Sequence, residues 1–327
     1  MGRLLIRLAT LFLVLAAICG VALVWGYAGF TRPGPLKTAR AVVISPGIGL
    51  EGIARTLHQA EVIASPELFV VGVELIGAGR ELKAGEFRFP DRASPREVME
   101  ILRSGKPVVR RITIVEGLTV AEVMERLEVA EGLVGTIETP PGEGSLLPET
   151  YHFSWGDTRD QILQRMQHGM RQVLDELWQE RSAATPVRTP EEALILASII
   201  EKETGIADER PLVAGVFANR LKLGMRLQSD PTVAYGIDPK GLDRPLSRAD
   251  LDTPGPYNTY LNAGLPPTPI ANPGRASIRA ALNPAKTEFL YFVADGQGGH
   301  AFARTLVDHN RNVARWRRGL RGDSASD

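Results

Sequence analysis

Two glutamates, Glu201 and Glu203, close an apolar run in which Ser198 is the single polar residue between Ala193 and Ile200. A helix that is apolar on every side belongs in a core. A carboxyl delivered at the end of such a helix is drawn out of water. Desolvation raises a carboxyl pKa from ~4.3 toward the working pH, as a general acid requires. A plain core helix whose charged end meets solvent has the same pattern. The two glutamates lie about 200° apart on a helix of about 3.6 residues per turn, so they cannot face the same pocket. Glu201 follows the apolar block directly and is the favoured acid; Glu203 is then a surface or supporting group.

Other polar residues could position a substrate. Gln228, Ser229, Asp230 and Thr232 form a dense run of hydrogen-bonding groups, and Asp230 is the candidate for a second acid. Asn258 and Tyr260 lie in a stretch, Pro254 to Pro284, where seven of 31 residues are proline. Long irregular segments inside a domain are usually functional, and proline holds their polar tips at low entropic cost. Glu149 and Tyr151 follow Pro148 in a loop whose aromatics could line a sugar-sized groove. Arg220 could pair with either Glu201 or Glu203 and keep that one ionised. His300, in a hairpin between Tyr291–Val293 and Ala301–Phe302, reads as structural. No metal-ligand cluster, phosphate-binding glycine loop or Ser-His-Asp arrangement competes, and no cofactor is expected.

The elements that must hold these groups are also legible. Thr189, Pro190 and Glu192 spell a capped helix start with a capping box, and Gly205 a stop. A helix from Thr158 to about Trp178 carries an apolar stripe, with His168 on its exposed side. Asp208 can cap a helix from Glu209 to Leu221. Pro231 disfavours a helical Asp230. A closing helix runs from Leu306 to Arg317.

The N-terminal half begins with 23 uncharged residues, Leu8 to Phe30, after Arg3 and Arg7. As a helix this run is ~34 Å long, enough for a hydrocarbon core of ~30 Å. Its length and the lack of a clean cleavage site favour an uncleaved, single-pass anchor with the short basic tail inside, over a signal peptide. A strand at Ala41–Ile44, a Pro46-Gly47 turn, helices from Leu50 and from Leu68 to Ile76, a strand at Leu82–Phe89 and a helix at Val98–Leu102 follow. The pattern then restarts 70 residues on, pairing Ile44 with Ile114, Gly47 with Gly117, Leu50 with Val120 and Ile53 with Val123. The unit Val42–Ile63 resembles a LysM-type glycan-binding module. Lys plus Arg and Asp plus Glu both number 38, so no net charge steers the chain to nucleic acid. The one cysteine, Cys19, lies in the apolar run, so the rest of the chain can form no internal disulfide.

Six motifs stand in order: Ala197-Ser198-Ile199-Ile200-Glu201-Lys202-Glu203-Thr204, Val216-Phe217-Ala218-Asn219-Arg220-Leu221, Met225-Arg226-Leu227-Gln228-Ser229-Asp230-Pro231-Thr232, Tyr257-Asn258-Thr259-Tyr260, Gly264-Leu265-Pro266-Pro267 and Tyr291-Phe292-Val293-Ala294-Asp295-Gly296. Together they resemble the endolytic murein transglycosylase family, YceG-like or MltG-type, over Ile112 to Arg311. Leu147 stands where relatives usually carry Phe. The resemblance implies a bacterial membrane enzyme, with no cofactor, that cuts peptidoglycan between N-acetylmuramic acid and N-acetylglucosamine. It would leave 1,6-anhydro ends and work beside penicillin-binding protein synthases. It also supports Glu201 as the acid; Gln228, Ser229, Asp230, Thr232, Asn258, Tyr260, Glu149, Tyr151 and Arg220 are the candidates to surround the sugar. Alternatives are a glycan-binding scaffold and a two-carboxylate muramidase.

The expected fold class is α+β: a transmembrane helix, a LysM-like αβ module and a YceG-like mixed α/β catalytic domain with a short mixed sheet. The expected boundaries are a cytoplasmic tail 1–7, anchor 8–30, linker and module 31–110, catalytic domain 111–320 and a disordered tail 321–327.

Overall fold

The computed structural model describes residues 2–323. The chain divides into two compact units. The first runs up to Arg111 and adds 132–134 and 152–157; the second takes Ile112–Glu131, Gly135–Tyr151 and the chain from Thr158 onward.

The first unit starts with α1 (Gly2–Thr31), so the short tail expected at 1–7 is helical from Gly2. Ile6–Thr31 is long and apolar enough to cross a membrane. Next come β1 (Arg40–Ile44), α2 (Leu50–Gln59), α3 (Pro66–Ile76), β2 (Gly85–Phe89) and α4 (Pro95–Ser104). β1 and β2 pair antiparallel with Val42 opposite Phe87, closing a β-α-α-β unit. Ser65 caps α3 through the Leu68 amide, and Ser94 with Glu97 forms a capping box on α4. Ile44, Leu57, Ile63, Phe69, Phe87 and Phe89 form the sealed core.

The echo 70 residues on is real in local structure. β3 (Val109–Thr113) leads through Gly117 into α5 (Val120–Glu128), as β1 leads through Gly47 into α2. Both glycines sit at φ 80°, a left-handed turn that glycine adopts without strain. Ile44 and Ile114, Ile53 and Val123, and Leu57 and Leu127 are all buried.

The second unit is built around one buried helix. After β4 (Thr150–Ser154) come α6 (Arg159–Gln179), α7 (Pro190–Glu203), α8 (Arg210–Lys222), α9 (Asp230–Ile237), α10 (Arg248–Asp252) and α11 (Arg275–Leu282). A hairpin, β5 (Tyr291–Ala294) and β6 (His300–Ala303), precedes α12 (Leu306–Asp323). α7 packs against α6, α8, α9 and α11. Seven of its residues from Ala193 to Ile200 are buried, which is what its unbroken apolar run demands.

Several local expectations give way to tertiary context. The strands pair as three two-stranded sheets among the described residues, not as a mixed sheet. Thr189 does cap α7 through the Glu192 amide, but the Glu192 carboxylate accepts from the Arg188 amide instead of closing a box. Glu209, not Asp208, precedes α8, and it makes no side-chain cap. Asp230 is the first residue of α9 despite the proline that follows. Ser229 is the extended residue before it, and Pro231 falls in the first turn, where its missing N–H is harmless. The proline-rich segment carries α11 at its end. Of the tail at 321–327, residues 321–323 belong to α12 and the rest lie outside the described residues.

Candidate active site

The end of α7 sends its two glutamates into different surroundings. Glu201 Oε2 accepts from the Gly274 amide at 2.8 Å, and Oε1 faces the Arg210 guanidinium at 3.4 Å. Arg210 also faces Glu116 at 3.6 Å. Burial, and then the charge of Glu201, push the Glu116 carboxyl up from its ordinary value. Glu201 thus holds the proline-rich segment and α8 to the end of α7.

Glu203 is the last residue of α7. Its Oε1 accepts from Ser229 Oγ at 2.5 Å. Loss of solvent around the carboxyl drives its pKa from an ordinary 4.5 to about 7. The Asp230 charge pushes the same way, while Ser229, His300 and Arg220 oppose the rise. The negative end of the helix dipole also disfavours a carboxylate there. As a whole residue Glu203 is half-buried. A carboxyl with a pKa near 7 exists in both protonation states at neutral pH. It can therefore give a proton and take one back.

The shell around Glu203 is made by three elements. Buried Ser229 is held by its amide, which donates to Thr259 Oγ1 at 3.0 Å. Buried Thr232 donates to the Ser229 carbonyl at 2.7 Å and meets Thr259 Oγ1 at 2.9 Å. Tyr260 donates to Asp230 Oδ1 at 2.6 Å, joining the proline-rich segment to the start of α9. Burial, followed by Asp230, raises the Tyr260 phenol, which stays protonated. Asp230, Pro231 and Tyr235 also line a groove of about 560 Å³ with Lys202, Arg244 and Ile270 on its walls.

Other expected site residues are occupied elsewhere. Asn258 donates to the carbonyls of Leu251 and Thr253 at 2.9 and 2.7 Å and accepts from the Tyr260 amide, so it braces its own loop. Tyr151 is buried and donates to the Leu147 carbonyl at 2.7 Å. Glu149 is exposed, and its carbonyl receives the Ile114 amide. Gln228 is exposed at φ 50° and gives its amide to the Thr259 carbonyl. Arg220 forms no ion pair with either glutamate among the described residues. Its guanidinium donates to the Leu227 and Leu290 carbonyls at 2.6 and 2.7 Å and lies over the Tyr291 ring.

Sequence reasoning missed three supports. Thr259 gives the Ser229 amide an acceptor, a role its place in a motif did not disclose. Glu209 accepts both the amide and Nδ1 of His300, at 2.8 and 2.7 Å, tying the hairpin to the start of α8. Burial alone would raise the Glu209 carboxyl, but its bonds with His300 outweigh that and hold it below the ordinary value. Buried Ser198 donates to the Ile195 carbonyl and accepts from the Ile270 amide at 3.0 Å, so the one polar residue in the apolar run anchors the proline-rich segment.

A buried helix ending in a desolvated carboxyl, with a polar shell drawn from a proline-rich segment, is the frame of an acid–base enzyme. The chain belongs to the YceG-like family, whose family model matches residues 42–315. It is 31% identical over 306 residues to an endolytic murein transglycosylase of Bacillus subtilis strain 168, covering 84% of each chain. It is 28% identical over 319 residues to one from Streptococcus pneumoniae serotype 2 strain D39, covering 84% of this chain and 57% of that one. The crystal structure of a yceG-like protein from Listeria monocytogenes matches with a TM-score of 0.50 and 30% identity, over 84% of this chain and 99% of that one.

Proposed function

We propose that this protein is an endolytic peptidoglycan lytic transglycosylase in which Glu203 is the general acid and base. The activity rests on the relatives, named endolytic murein transglycosylases, at 28–31% identity. The role of Glu203 rests on one observation: both glutamate side chains are buried, but Glu203 meets only the Ser229 hydroxyl and the like charge of Asp230 rather than a guanidinium, and burial there pushes its pKa to about 7. Glu201, favoured from sequence, is held against a guanidinium and a backbone amide, contacts that suit a fixed carboxylate.

In this reading protonated Glu203 gives its proton to the glycosidic oxygen, and the bond from the muramyl C1 to that oxygen breaks. The leaving N-acetylglucosamine keeps the proton on its hydroxyl. Glu203, now a carboxylate, takes the proton of the muramyl C6 hydroxyl as that oxygen closes on C1. The 1,6-anhydro ring forms without water, and Glu203 returns to its starting state. One carboxyl suffices because the sugar supplies its own nucleophile, unlike a hydrolase with two. Ser229 fixes the carboxyl's orientation, and Asp230, held by Tyr260, faces the positive charge developing on the sugar.

Three further elements complete the reading. α1 is an uncleaved single-pass anchor with the basic N-terminus inside and both units outside the cytoplasmic membrane. Phe30 supports this, because it is buried in the first unit's core, which removal of a signal peptide would open. The β-α-α-β order of β1 to β2 supports a LysM-like glycan-binding role for that unit. Penicillin-binding protein synthases are the partners that supply nascent strands.

The test is mass spectrometry of peptidoglycan digested by the protein and by its Glu203→Gln and Glu201→Gln variants. Anhydro ends that vanish with Glu203→Gln and persist with Glu201→Gln are the expected result. Reducing ends would make the protein a hydrolase, with Asp230 as second carboxylate. Binding without cleavage would make it a scaffold.

A further inference from the structure

On the first unit, α3 leaves Val71, Leu75 and Ile76 exposed at 53%, 75% and 50%. At about 100° per residue Val71 and Leu75 lie about 40° apart on one stripe, Ile76 sits about 100° beyond Leu75 toward the side of Phe69 and Val73, which enter the core, and Glu67 and Glu74 occupy the opposite flank. The stripe continues onto α1. Together they wall an apolar groove of about 770 Å³ that follows α1 from Cys19 to Phe30, with Arg96 among its lining residues. The two helices are pressed together near the top of α1. A Cβ on Gly72 would come within 2.4 Å of the Phe30 ring, and one on Gly29 within 2.7 Å of Leu68. α3 therefore cannot drift away from the end of α1.

The length of α1 sets the depth of this groove. The span Ile6–Thr31 has 26 residues, which is about 39 Å against a hydrocarbon core of ~30 Å. If all of the surplus, about 9 Å or roughly six residues, lies on the module's side, the stretch Cys19–Trp25 is still within hydrocarbon. The floor of the groove is then below the membrane surface, and the α3 residues that share it are at the level of the acyl chains or just above.

We propose that α3 is embedded in the bilayer. Acyl chains of the leaflet next to the module fill the α1–α3 groove, and Arg96, exposed and adjoining it, meets their phosphates. The apolar stripe is a direct continuation of the membrane-crossing surface, and a helix with one such face lies in the interface. The unit is thereby held flat on the membrane at a set height. The inference rests on the reading of α1 as a membrane span.

The full-length chain carrying Cys19→Ser and one new cysteine, at Leu15, Glu51, Val71 or Leu75, would be labelled with an environment-sensitive fluorophore. It would be reconstituted in phosphatidylethanolamine–phosphatidylglycerol vesicles with brominated acyl chains. Leu15 reports the span, and exposed Glu51 on α2 reports the aqueous surface. Labels at Val71 and Leu75 quenched clearly, though less than at Leu15 in the middle of the span, with none lost at Glu51, are the expected result. Labels at Val71 and Leu75 as unquenched as at Glu51, beside a quenched Leu15, would overturn the embedding and leave the span standing. No quenching at Leu15 would overturn the span and the embedding together. A blue-shifted but unquenched Leu75 label, reverting as protein is diluted in the vesicles, would assign the groove to a second copy and overturn the proposal.

Discussion

Ser229 Oγ donates to Glu203 Oε1 at 2.5 Å, across 26 residues of sequence. The bond favours the ionised form of a carboxyl that its surroundings push toward the neutral one. The balance leaves the pKa at about 7. An acid that must both give and accept a proton near neutral pH needs that compromise.

The two glutamates separate by mutation. Glu203→Gln lowers turnover by roughly a hundredfold or more, as loss of a general acid does, and leaves the fold intact. Glu201→Gln weakens the anchoring of Gly274 and leaves Arg210 less well paired. It costs about 1–3 kcal/mol of stability while anhydro products persist. Release of anhydro ends and urea unfolding of each variant check the pair.

The pH dependence of stability carries the same signature. The folded pKa of Glu203, about 7, lies above its ordinary 4.5, so the folded state holds the proton more tightly. Below pH 4.5 both states are protonated and the group has no effect. Between 4.5 and 7 the unfolded chain ionises and the folded one does not, so stability falls by about 3 kcal/mol and then levels off. Glu203→Gln removes this fall, which unfolding midpoints measured from pH 5 to pH 8 would reveal.

Two neighbours of Glu203 move its titration in opposite directions. Ser229→Ala deletes a bond that favours the carboxylate, so the alkaline limb of the activity profile shifts to higher pH. The rate drops roughly tenfold to a hundredfold because the carboxyl loses its fixed orientation. Asp230→Asn removes a like charge, so the limb shifts to lower pH, by on the order of one unit. Profiles of turnover against pH for both variants check the signs.

Arg220 supports the site through the backbone. Arg220→Met leaves the Leu227 and Leu290 carbonyls without their donor inside the fold, at a cost of roughly 2–3 kcal/mol. The Leu227 carbonyl stands two residues before Ser229, so activity falls along with stability. Thermal unfolding beside turnover of the folded fraction measures both.

The sequence by itself determined the buried helix, since an unbroken apolar run from Ala193 to Ile200 has only a core to go to. It also determined the capped start of α7 at Thr189, whose signal is local, and the strand–glycine–helix echo 70 residues apart. The hairpin around His300 was equally legible. Tertiary structure decided what each glutamate meets. Glu201 and Glu203 follow the same apolar block, and their difference lies in what arrives from elsewhere: Arg210 and Gly274 at one, Ser229 and Asp230 at the other. It also decided that Asn258, Tyr151 and Arg220 hold backbone. A side chain's type states which bonds it can make, and long-range packing chooses the partner. Local spacing could not reveal the Ser229–Thr259 and Glu209–His300 contacts, because chain closure brings together residues 30 and 91 positions apart.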